Sequence, residues 1–283
     1  MIGKRKTDMG ITKEDYIEPR CVLCEEPYGK QPEIKPVPQR RIIEKLDEYM
    51  SHRDYAGAER HLLYWLEEAK LGGDLKGELM IRSELVGHYR KVLNREKAFE
   101  NADAALELIG RIGYEGSISE ATVYVNIATV YNAFSENDRS IAMFEKARSI
   151  YESIPELRPE LLGGLYNNMA LTYVALKQFP KAYELYDKAM ETMKKVENGE
   201  LEQAISYLNI ANAKEDELGL EEAGEEIEIC LDKAYELLDT PSLPRGGYYA
   251  FVCEKCAPTF DYYGYFVAAE ELKKRAKEIY ERS

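Results

Sequence analysis

From Arg41 onward, apolar and polar residues keep a helical spacing, and the helices this predicts come in repeats. Tyr124-Val125-Asn126-Ile127-Ala128 is followed by Tyr131, Phe144 and Ala147. Tyr166-Asn167-Asn168-Met169-Ala170 is followed by Tyr173, Tyr186 and Ala189. The first tyrosines, the second tyrosines and the last alanines of the two blocks each lie 42 residues apart. A fixed period over two helix-length blocks is the mark of stacked helical hairpins.

Extending that register along the chain defines six units with anchors at Tyr49, Tyr89, Tyr131, Tyr173, Lys214 and Phe260, at steps of 40, 42, 42, 41 and 46. A small residue follows each anchor nine positions later: Ala58, Ala98, Ser140, Ala182, Ala223 and Ala269. After sixteen positions four units carry another alanine, at Ala105, Ala147, Ala189 and Ala276, whereas Trp65 and Cys230 stand in units one and five. Small residues at fixed places let helices approach, and the large aromatics fill the gaps between them. Trp65 predicts wider helix spacing at the start of the array, where a terminal repeat is often atypical.

The connectors agree with this division. Gly72-Gly73, Gly113 to Gly116, Pro155 to Pro159, Asn198-Gly199 and Pro241 to Gly247 fall between units, where Gly and Pro stop helices. Pro180 sits where a first-turn proline is tolerated. Pro258 lies within the first helix of unit six and is expected to kink or shorten it. Residues 1–38 lack helical periodicity and carry Pro19, Pro27, Pro32, Pro36 and Pro38, which predicts an extended arm ahead of an array over 39–283. The last helix is expected to begin near Val267 and to act as a long cap.

The Tyr/Asn-x2-Ile/Met-Ala start and the Tyr/Phe-x2-Ala close resemble the tetratricopeptide repeat family over about residues 40–282, most strongly in units three and four. The usual repeat has 34 residues. The longer step here corresponds to about two extra helical turns, which preserves the inward face. Members with longer repeats, such as kinesin light chains, look most similar. The resemblance implies an all-α, right-handed superhelical solenoid of about six hairpins that binds protein or peptide in its concave groove.

Composition narrows the partner. The formal net charge is −14, and residues 1–40 contribute +1, so the acid excess belongs to the helical part. Such a surface repels nucleic acid and anionic lipid. No stretch has the length of a membrane span, and no apolar run of signal-peptide type follows the N-terminus, so the expectation is a cytoplasmic protein with no membrane partner. Five cysteines without a disulfide-framework spacing suit a reducing compartment.

Asn126, Asn168 and Asn209 share one register, each two residues after a Tyr and two before an Ala. Asn is a poor helix former, so three in phase call for a reason. An inward amide can both donate to and accept from the main chain of an extended segment. The resemblance to kinesin light chains carries that role onto these three positions. The alternative is that each amide bonds a neighbouring helix and staples the stack. Asn167 and Asn212 would enlarge the same surface. Arg90 with Lys91, Thr122 with Thr129, Val174, and Glu215 with Asp216 would make the groove basic at one end and acidic at the other; solvated helix ends are the bland reading of the same residues. Ser83, Gly87 and Gly164 stand where the carboxylate-clamping repeats carry Lys, Arg or Asn, so that clamp is absent.

Chemistry has little to stand on. Cys21-Val22-Leu23-Cys24 has metal-ligand spacing, yet one pair does not complete a zinc site, and His52 and His61 are the nearest further ligands. Cys253 and Cys256 share a helix face and read as core. No phosphate loop, dinucleotide fingerprint or nucleophile elbow occurs. The reading is therefore a scaffold or adaptor that is no enzyme, with no cofactor and no metal. Its alternatives are self-assembly, as a dimer or end to end, and a peptide-sensing regulator, whose additional leading domain 40 residues could not supply. The arm could also fold back as an internal competitor in the groove.

Overall fold

The computed structural model describes residues 34–282; Cys21 and Cys24, and the arm up to residue 33, lie outside the described residues. Twelve helices follow one another, and among the described residues there is no strand. They are α1 Gln39–Ser51, α2 Tyr55–Leu71, α3 Leu75–Lys91, α4 Arg95–Ile112, α5 Ile118–Ala133, α6 Asn137–Ser153, α7 Pro159–Ala175, α8 Phe179–Met193, α9 Glu200–Leu218, α10 Gly224–Leu238, α11 Gly247–Tyr262 and α12 Phe266–Tyr280. The architecture is an all-α helical-repeat solenoid. No described helix is long and apolar enough to cross a membrane. The chain forms two compact units, one through Ile81 and one from Arg82, with the boundary inside α3.

The repeat register has a concrete basis in the backbone. The carbonyls of Tyr49, Tyr89, Tyr131, Tyr173 and Phe260 each accept from the N–H five residues on, at 2.8–2.9 Å. Within those turns Arg53, Leu93, Ser135, Lys177 and Gly264, each four residues after its anchor, adopt positive φ between 56° and 84°. This bond closes a helix C-terminus over one left-handed residue and leads the chain into the next helix. Lys214 breaks the rule. There α9 runs on to Leu218, and the chain turns at Gly219 instead (φ 85°).

Packing follows the predicted phase. All six small residues nine after the anchors are fully buried, and Ala105, Ala147, Ala189 and Ala276 are buried too. Phe144, Met169 and Tyr186 fill one core between α5 and α8, while Tyr249, Val252 and Phe260 fill another among α9–α12. Each fully buried large side chain of this kind contributes about 1.5–3 kcal/mol relative to exposure. Cys253 and Cys256 belong to the second core.

Four helix starts, those of α2 to α5, are capped by short polar side chains. Asp54 accepts from the Gly57 N–H and Asn94 from the Lys97 N–H. Ser117 accepts from the Glu120 N–H, while the Glu120 carboxylate reaches back to the Gly116 N–H, a near relative of the capping box. Asp74 does two things at once: one oxygen caps α3 at Gly77 and the other accepts from the Val37 N–H at 2.9 Å. With the Lys35 N–H bonded to the Gly72 carbonyl and Val37 buried, residues 35–37 are tied to the α2–α3 turn. A Cβ at Gly77 would come within 2.5 Å of the Val37 side chain, so the close approach requires glycine there.

Two expectations change. α11 continues through Pro258 to Tyr262 without being shortened. Pro258 and Glu254 are both exposed, so the helix bond that proline cannot donate is lost on the solvent side, where the loss is small. The last helix begins at Phe266 and has 15 residues against 19 in α9, so it is no long cap. At Trp65, α1 and α2 leave between them an open groove of about 520 Å³, also lined by Tyr49, His61 and Tyr64.

Candidate functional site

From α5 onward the odd-numbered helices touch in series, α5 with α7, α7 with α9 and α9 with α11, in addition to their hairpin partners. Their shared surface is a wall of first helices, and the predicted amides stand on it. α5 presents Thr122, Asn126 and Thr129; α7 presents Gly164, Asn168 and Leu171; α9 presents Glu202, Asn209 and Asn212. The spacings of three, four and seven put each set on one helix face.

The amides divide into two groups. Asn167 Oδ1 accepts from Asn209 Nδ2 and from Ser206 Oγ, each at 3.2 Å, so this pair staples α7 to α9. Asn212 accepts from the Tyr263 hydroxyl at 3.0 Å, which ties α9 to the last hairpin. Asn126 and Asn168, by contrast, are half-buried, and among the described residues their side-chain amides have no hydrogen-bond partner. A neighbouring amide, Asn132, donates to Thr172 at 2.9 Å and links α5 to α7. Thr172 and Ser140 Oγ, which donates to the Ala128 carbonyl, make a buried polar seam behind the wall.

The other predicted positions are less closely grouped. Thr129 spends its hydroxyl on the Asn126 carbonyl at 2.7 Å. Thr122 bonds the Ile118 carbonyl and the Tyr151 hydroxyl. Arg90 is exposed in the last turn of α3 with Lys91. Asp216 pairs with Lys177, and Glu215 accepts from two tyrosines. Val174 is half-buried. His61 bonds the Ile42 carbonyl and His52 the Glu48 carbonyl, so each imidazole has a protein partner.

Tyrosine hydroxyls on glutamates recur in the first helices α5 and α7. Tyr124 donates to Glu120 at 2.7 Å and Tyr166 to Glu152 at 3.1 Å. Burial and then the carboxylate push both phenols up to about 12, so they remain donors at physiological pH. Cys253 is pushed up to about 11 and Cys256 to about 12, chiefly by burial, which keeps both thiols protonated and inert.

Two features escaped sequence reasoning. A cation stands eight residues after three of the anchors and lies over the anchor ring: Lys97 on Tyr89, Arg139 on Tyr131 and Lys181 on Tyr173. The spacing was visible in the repeats. The second is the open face of α11, with Tyr248, Phe251, Lys255, Pro258 and Tyr262 all exposed. Their spacing of three, four, three and four was a signal, masked by the expectation that Pro258 kinks or shortens the helix.

No protein-family model matches the sequence, and no curated protein matches it. Solved structures do. BtubC (BKLC) from P. vanneervenii is 16% identical with a TM-score of 0.49, covering 87% of this chain and 92% of that one. A Podosopora anserina chain of nearly identical TPR-like repeats, of kinesin light chain type, is 17% identical with a TM-score of 0.47, covering 71% and 94%. A tetratricopeptide repeat protein from Parabacteroides merdae ATCC 43184 is 17% identical with a TM-score of 0.41, covering 84% and 98%. These structural neighbours are TPR-like repeat proteins.

Proposed function

We propose that this chain is a non-catalytic scaffold whose wall of first helices holds an extended segment of another protein or a peptide. The observation that carries the reading is the pair Asn126 and Asn168. They stand 42 residues apart in one register, half-buried, with amides that no described side chain or backbone group satisfies. A half-buried amide offers a donor and an acceptor, and an extended backbone presents both at regular intervals. Asn167, Asn209 and Asn212 hold the wall together and border the same surface; Thr129 and Arg90 extend it towards the preceding repeats. The acidic surface argues against nucleic acid and anionic membrane as partners, and five cysteines suit the reducing cytoplasm.

Selection from a displayed library of random dodecapeptides, followed by fluorescence anisotropy on the selected sequences, tests this. Replacing both amides in Asn126→Ala/Asn168→Ala removes hydrogen bonds of about 0.5–1.5 kcal/mol each, so affinity falls about 5- to 150-fold while the circular dichroism melt is unchanged. Unchanged affinity in a folded double variant would remove the basis of the reading.

Self-assembly is favoured by a different place. Phe266 and Val267 are exposed at the α11–α12 turn beside an apolar cleft of about 660 Å³ that also includes Tyr235 and Tyr265. A dimer built on this edge would dissociate in Phe266→Asp/Val267→Asp, as read by light scattering; a monomeric parent protein would exclude it.

A further inference from the structure

The exposed face of α11 and the facing edge of α9 say which kind of segment the wall takes, an inference that rests on the binding role proposed above. Tyr248, Phe251 and Tyr262 are 55%, 51% and 66% exposed, an unusual concentration of open aromatic surface for one helix face. Tyr248 and Phe251 lie nearly parallel, with ring centroids 6.2 Å apart. Tyr262 and Tyr263 meet edge to face at 4.9 Å.

Each aromatic pair borders a carboxylate of α9. Tyr248 donates to Glu202. Tyr262 and Tyr263 donate to the two oxygens of Glu215 at 2.7 and 2.8 Å. Phenols orient a carboxylate without cancelling its charge, and among the described residues neither Glu202 nor Glu215 has a cationic partner. Asp216, next in the chain, differs in being paired with Lys177. Both carboxylates are half-buried, and burial together with the carboxylate holds the Tyr248 and Tyr263 phenols protonated.

A fixed negative charge beside an open aromatic face attracts a guanidinium or ammonium twice over, by charge and by the ring quadrupole. Glu202 and Glu215 are thirteen positions apart on α9, about 20 Å at ~1.5 Å per residue. An extended chain covers that distance in about six residues. Lys255 is exposed on the same face of α11, midway between Tyr248 and Tyr262, and repels a third cation there. We infer that the α9–α11 part of the wall binds an extended protein segment with two basic residues about six positions apart and an acidic or neutral residue between them.

Three fluorescein-labelled unstructured peptides test the pattern on the full chain: Arg at both stations with Asp midway, Glu at both stations with Lys midway, and Ser at all three. The Arg–Asp–Arg peptide is expected to bind at least tenfold more tightly than either other peptide. Glu202→Gln/Glu215→Gln removes both charges and keeps one amide oxygen at each station, so Tyr248 retains an acceptor, while one of Tyr262 and Tyr263 turns its hydroxyl to accept from the amide N–H at position 215. The variant should weaken the Arg–Asp–Arg peptide about tenfold and abolish most of the salt dependence of its binding. Equal affinity for the charge-swapped peptide, or no loss in the Gln variant, overturns the inference. If that happens while Asn126→Ala/Asn168→Ala still weakens binding, the wall remains a peptide site of other specificity. Failure of all three peptides to bind overturns the inference, and an empty library selection in addition removes the binding role beneath it.

Discussion

Five hairpin turns share one left-handed residue, and only the last uses glycine, so the array contains its own control for backbone strain. Ser135 (φ 62°) is exposed, and Gly264 (φ 84°) occupies the equivalent place four residues after Phe260. A residue with a Cβ gives up about 1–2 kcal/mol in the left-handed region. Glycine recovers that, but its greater freedom in the unfolded chain offsets about 0.4–1 kcal/mol. Ser135→Gly should therefore stabilise by about 0.5–1 kcal/mol, and Gly264→Ala should destabilise by a similar amount. A Cβ at Gly264 would meet no atom within 4 Å, so the second change tests conformation without a clash. Urea midpoints at constant slope, read by circular dichroism, give the difference; in a thermal melt about 2–4 °C accompanies each kcal/mol. If Gly264→Ala proves neutral or stabilising, the turn is not left-handed and the shared-turn account fails.

Further outcomes follow from the core, the thiols and the surface pairs. Phe144→Ala empties a fully buried aromatic site between α5 and α8 and should cost about 3–5 kcal/mol in urea unfolding; a loss under about 1 kcal/mol would mean the site collapses. Cys253 and Cys256 should resist iodoacetamide at neutral pH and react only in denaturant, as mapped by mass spectrometry. Their folded values of about 11 and about 12 exceed the ordinary 9.0, so the unfolded chain loses these protons first. Their contribution is complete below pH 9 and is lost as pH rises from there through the folded values; Cys253→Ala/Cys256→Ala should flatten that decline in urea midpoints. Lys177→Ala removes an exposed inter-repeat pair with Asp216 and should change stability by less than about 1 kcal/mol, with salt erasing the difference.

The helical repeat was legible in the sequence because its determinants are short-range and periodic. A fixed offset from anchor to small residue is also the offset at which two antiparallel helices touch, so Ala58, Ala98, Ser140, Ala182, Ala223 and Ala269 could be named as buried from spacing alone. The turn with one left-handed residue follows all five tyrosine and phenylalanine anchors and keeps the same offset from each. Lys214 failed because helix length in unit five is set by where Gly219 permits a reversal, and the anchor position has no say in that.

The amides could not be sorted by sequence. Asn167 and Asn168 are adjacent, yet one is consumed by Asn209, 42 residues away, while the other keeps its amide open. Side-chain direction changes by about 100° per helical residue, so neighbours with identical chemistry meet different surroundings. The aromatic face of α11 likewise depended on a tertiary circumstance: Pro258 sits on the solvent side, where a missing helix bond costs little and the helix continues. Periodicity determined which residues are inside; only the packing of one repeat on the next decided which polar groups were left for a partner.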